Sequence, residues 1–158
     1  MNPVKRLGLA VLLVVGVTLL GSTSARAAAP GDWGTVQLTN VGDEPGATGE
    51  ASLTRVKRLW SDVQEWMRID YYSGKLTVKC RNLTPGATYS TPAGTFLADR
   101  KGNGGVSGQV MFSVYVDEGW WGPTSVMEPY VVDVVRLDPD GSCTTVLTGE
   151  FVPPWATE

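Results

Sequence analysis

The chain has 158 residues, with nineteen glycines, ten prolines, two cysteines and no histidine. The missing histidine removes Ser-His-Asp and Cys-His pairs, histidine zinc sites and imidazole acid–base chemistry from anything the chain does by itself. Three of the thirteen basic residues lie in the first 27 positions, so residues 28–158 carry ten basic against sixteen acidic side chains. The resulting formal charge of −6 repels phosphate backbones and anionic lipid, and nucleic acid is not an expected partner.

In chain order, Lys5 and Arg6 precede an apolar run from Leu7 to Leu20 and a small-residue tract ending Ala25-Arg26-Ala27. Charged region, short apolar region and A-x-A site make a secretory signal peptide over residues 1–27, leaving 28–158 as one exported domain, secreted or periplasmic. The alternative is an uncleaved anchor, but Gly8, Gly16 and Gly21 interrupt the run, and no stable membrane anchor is expected. The remaining length suits one core and not two.

Gly49 to Val56 reads as a strand. After it, Val56, Leu59, Trp60, Val63, Trp66 and Met67 fall at helical spacing, and Ser61 with Gln64 offers a capping box. The favoured reading is strand, loop with room for one helical turn, then a strand from Met67 to Tyr72. Ser73-Gly74 is then a hairpin turn or a kink inside a longer strand. Lys75 to Arg81, Thr95 to Ala98, Val106 to Val116, Tyr130 to Leu137 and Thr144 to Phe151 read as strands, with Val110, Phe112, Val114 and Val116 on one face. Asp138-Pro139-Asp140-Gly141 has the composition of a type I turn with a following bulge, and Asp99 to Gly105 joins two strands in the same manner.

Cys80 and Cys143 form an even pair in a chain destined for an oxidising compartment. One disulfide is the simplest expectation, with two free buried thiols as the alternative. Alternation with Leu76 and Val78 puts Cys80 on an apolar face, and the i, i+4 relation to Leu147 does the same for Cys143. No C-x-x-C spacing suggests a catalytic dithiol.

Leu83-Thr-Pro85-Gly86-Ala-Thr-Tyr89 resembles the corner that leads into a late strand of fibronectin type III and other immunoglobulin-like domains. The resemblance implies a tyrosine hydroxyl tied to upstream backbone. Phe96 to Asp99 and Gly102 to Gly104 are similar to the strand and turn that follow in such domains, although Pro92 and Gly94 interrupt and strands continue beyond. Gly49 to Leu53 and Leu147 to Phe151 are also similar to the bounding strands of chordin-type secreted domains, whose histidine-containing centre is absent. The expected fold is all-β, a single immunoglobulin-like antiparallel β-sandwich.

For a site, the sequence offers Asp117-Glu118-Gly-Trp120-Trp121-Gly-Pro123. Neighbouring tryptophans in extended chain face opposite ways, so at least one should be partly exposed. An indole flanked by carboxylates can stack on a sugar or anchor a protein, and it can also fold back as a lid over the domain end. Asp117 and Glu118 are the only local grouping suggestive of a glycosidase pair, but adjacent strand residues point apart, and no enzymatic activity is expected. No metal site or cofactor is expected; Asp138-x-Asp140 lacks the glycine and glutamate of a calcium loop. The expected function is that of a secreted, non-catalytic structural or interaction module with an unknown protein partner. The alternative is a small polysaccharide-binding module using Trp120 and Trp121. Exported protein should begin at Ala28, because Ala25 and Ala27 occupy the two positions that the peptidase reads; intact-mass measurement of secreted material checks this, and a full-length, membrane-retained chain is the contrary result.

Overall fold

The computed structural model describes residues 31–117 and 125–156. Nine strands, Gly34–Asn40 (β1), Thr48–Gln64 (β2), Met67–Arg81 (β3), Thr88–Thr91 (β4), Gly94–Leu97 (β5), Gly104–Asp117 (β6), Ser125–Glu128 (β7), Tyr130–Leu137 (β8) and Cys143–Phe151 (β9), are followed by a single 3₁₀ turn at Pro154–Ala156. They form one antiparallel sheet, ordered β5-β4-β8-β9-β1-β2-β3-β6-β7, which curls into a half-barrel. Residues 1–30, with the expected signal peptide, residues 118–124 and residues 157–158 lie outside the described residues.

The curl follows from alternation. Even-numbered positions of β3 and β6 face inward, burying Leu76, Val78, Val114 and Val116 completely, and β8 and β9 contribute Val132, Val134, Leu147 and Phe151 from the opposing wall. Each fully buried aliphatic side chain is worth about 1.5–3 kcal/mol relative to exposure. Trp33, Tyr72, Phe112 and Tyr130 extend this core as an aromatic chain, with Trp33 edge-on to Tyr72 at 4.9 Å and Phe112 stacked on Tyr130 at 4.2 Å. The β4–β5 turn folds over the concave face: a Cβ at Gly108 would strike the Ala93 carbonyl, and Phe96 lies where one at Gly104 would go. Glycine at both positions lets the two walls approach.

β1 meets β2 only as far as the Gly34–Leu53 pair, while β2, β3 and β6 run on. Beyond that rung they form a projecting arm edged by β7. The expected loop or helical turn after Val56 is instead strand. Two bulges in β2, one at Arg55-Val56 opposite Gly74 and one at Leu59, each insert an extra residue and reverse the inside–outside phase. Two reversals imitate a helical period. Arg55 accommodates its bulge with a left-handed φ of 54°. Gln64 pairs with Met67 across a two-residue turn, and Ser73-Gly74 lies within the continuous β3.

The two turns read from sequence are present. In each, an aspartate N–H donates to a carbonyl four residues on, Asp138 to Ser142 at 2.9 Å and Asp99 to Asn103 at 2.8 Å, with the intervening glycine at positive φ.

The expected disulfide is absent: Cys80 is buried, Cys143 is exposed, and both are free thiols. The cause is a third bulge. In β9 the register shifts between the Val134–Leu147 and Val135–Thr145 pairs, leaving Val146 as the extra residue. Phase inverts there, so Val146 and Leu147 are both buried while Cys143, in step with Leu147 by counting, points to solvent. β1 and β2 also separate β9 from β3 in the sheet. Burial pushes the Cys80 thiol up to about 12, away from thiolate chemistry. A thiol reagent applied to folded protein should therefore modify one cysteine, Cys143, and reach Cys80 only after denaturation; peptide mapping of the labelled chain checks this.

Candidate functional site

At the end of the half-barrel away from the arm, the loop after β1 is tied to the Leu83–Tyr89 corner and to β8. The Tyr89 hydroxyl accepts from the Thr84 N–H at 3.0 Å and donates to Glu44 Oε1 at 2.6 Å. Glu44 also receives the Thr84 hydroxyl at 2.9 Å and one Arg136 nitrogen at 2.9 Å. Arg136 additionally reaches Asp43 at 2.9 Å and Asp138 at 2.7 Å. Glu44 is buried, and burial alone would raise its pKa; hydrogen bonds from Tyr89, Arg136 and Thr84 outweigh that and hold it below the ordinary carboxylate value. Burial and the Glu44 contact push Tyr89 up to about 12.

Every acceptor in this knot is engaged by the chain itself, so its chemistry is structural. A carboxylate whose folded pKa is depressed stabilises above its unfolded value and loses that contribution as pH falls through the folded one. Glu44→Gln should cost about 2 kcal/mol near neutral pH, since the amide removes the buried charge that Arg136 and the Tyr89 hydroxyl are arranged around and sets NH₂ against the Thr84 N–H, while Arg136 keeps Asp43 and Asp138. The gap to the parent should narrow as the medium is acidified below pH 4.5; urea titrations at several pH values measure it.

Two open grooves are present. One of about 850 Å³ runs past Gln37, Glu50, Lys79, Arg81 and Asp99. Its charges are largely partnered: Lys79 pairs with Glu50 at 3.7 Å, and Asp99 accepts the Lys101 and Asn103 N–H groups. A second, of about 580 Å³, lies between Pro85–Thr88 and Arg136–Pro139, beside the knot. Neither holds an aromatic side chain. Among the described residues no three His, Cys, Asp or Glu side chains are grouped to hold a metal.

Exposed apolar side chains are spread over the described residues, Val41 and Leu97 among them, and one group lies on the arm. Residues paired across antiparallel strands point to the same side, so Trp60, Ile69, Tyr71, Tyr115 and Met111 share the outer face. Trp60 is 51% exposed and Met111 69%. Trp60 stacks on Tyr71 with centroids 4.7 Å apart and planes 20° apart. Rings that rise from neighbouring strands and cover each other's faces present edges outward. The surface is thus ridged, not a flat platform.

On the inner face of the arm, Asp70 is buried. It accepts the Ser61 hydroxyl at 2.5 Å and the Tyr72 hydroxyl at 3.4 Å, and it pairs with Arg68 at 3.0 Å. A buried carboxylate survives only with such partners.

Of the residues proposed from sequence, Asp117 ends β6 on the outer face, opposite Met67 and Ser125. Glu118, Trp120 and Trp121 lie outside the described residues. Trp60 was missed as a surface residue because the two bulges disguised β2 as a helical period, while Tyr71 and Met111 lay in expected strands, where alternation with Tyr72 and with Val110 and Phe112 was the signal that puts them on the outer face. Comparison with protein-family models, curated proteins and solved structures finds no match.

Proposed function

We propose that the chain is an exported, non-catalytic interaction module, an immunoglobulin-like sandwich whose two walls are the β1–β2–β3–β6–β7 and β1–β9–β8–β4–β5 portions of the sheet. The observation carrying this reading is the apolar outer face of the arm, where Trp60 and Met111 are largely exposed on the paired strands β2, β3 and β6. Large apolar side chains held there cost solubility unless they are covered in use. The ridged ring edges favour a protein partner over a stacked sugar, because pyranose binding uses an open ring face. The hydroxyl-bonded Tyr89 corner and the alternating walls support the sandwich reading.

The carbohydrate-binding alternative rests on Trp120 and Trp121. The two separate by titrating intrinsic fluorescence of the exported chain with polysaccharides and with extracellular protein fractions. Met111→Arg should abolish protein binding at an unchanged melting temperature, while Trp120→Ala and Trp121→Ala leave it intact. Polysaccharide binding lost in either tryptophan variant, with Met111→Arg silent, would establish the alternative.

A further inference from the structure

We infer that the partner of the arm's outer face is a second copy of this chain, docked face to face about a two-fold axis. The inference rests on the reading of that face as the contact surface, and the pattern of its charges carries it. Register divides the face into rows. Trp60 pairs with Tyr71 in the central row; one row toward the tip Asp62 pairs with Ile69, and one row toward the base Lys57 pairs with Ser73. Counted along β3, residues 69 and 73 stand equally far from residue 71, about 7 Å on either side. β7 adds a second acid on the tip side, Glu128 opposite Tyr115, and β6 places the exposed Met111 beside Ser73 on the base side. Lys75 adds a second cation beyond that row.

A closed dimer needs a self-complementary patch. A two-fold axis lying in the interface, across the strands and over the Trp60–Tyr71 row, reverses strand direction in the second copy. Each Lys57 then faces the other copy's Asp62, twice per dimer, around a centre of Trp60, Tyr71, Ile69 and Met111. An axis along the strands would instead set the acid-bearing rows of both copies at the same end and give Lys57 no facing carboxylate, so charge selects the first arrangement. Sheets packed this way lie about 10 Å apart, a gap that a lysine and an aspartate span together. Among the described residues Lys57, Asp62, Lys75 and Glu128 make no ion pair within the chain, and Asp62 accepts only the exposed Gln64 amide at 3.2 Å on one oxygen, which leaves its charge unneutralised. The extra residues at Arg55-Val56 and Leu59 are what place Lys57 and Asp62 on one face.

Sedimentation equilibrium of the exported chain over a wide concentration range should show a monomer–dimer equilibrium that weakens with salt. Lys57→Asp and Asp62→Lys should each raise the dissociation constant about tenfold by creating like-charge contacts. The double swap should restore it, a rescue that a merely destabilised fold would not give. Met111→Arg should leave a monomer whose melting temperature equals that of the parent diluted below its dissociation constant. A monomer at every concentration, or a double swap no better than the singles, overturns the dimer. If that monomer still binds a foreign protein and loses it on Met111→Arg, the dimer falls and the interaction reading stands; if Met111→Arg changes neither association nor binding, both fall.

Discussion

The arrangement of this molecule depends on where its long strands gain extra residues. β2 pairs with β3 over most of its length, and an uninterrupted pleat would carry one alternating set of side chains into the core throughout. The bulges at Arg55-Val56 and Leu59 break that set twice. Before the first, Ala51 and Leu53 face inward; after the second, Trp60 faces out beside Tyr71 while Ser61 reaches the buried Asp70. The outer face of the arm and the polar anchor of its inner face both follow from these insertions.

The opposite end is held by polar contacts instead of apolar ones. The loop after β1, the Leu83–Tyr89 corner and the start of the β8–β9 turn are irregular backbone with few inward side chains. Glu44 and Arg136 supply what a core would otherwise provide, connecting three segments distant in sequence through charge-assisted hydrogen bonds. Tyr89 belongs to both systems: its ring is fully buried against Phe96, and its hydroxyl lies in the knot. The molecule is thus fixed by charge at one end and left apolar on the outside of the other.

Sequence by itself determined the local elements whose signals are local. The alternation of β6 and β8, the turns at Asp99 and Asp138 and the corner tyrosine were legible because pleat period, positive-φ glycine and side-chain caps act within a few residues. Only the tertiary structure decided the rest. β1 and β7 were missed, being short and supported mainly by neighbouring strands. Cys143 was misplaced because a bulge, which is set by the partner strand, inverts a count made along one chain. Trp60, Lys57 and Asp62 came to share a face for the same reason, since phase after a bulge depends on pairing across strands and not on spacing within one. Burial of Glu44 likewise required Tyr89 and Arg136, 45 and 92 residues away, to arrive beside it.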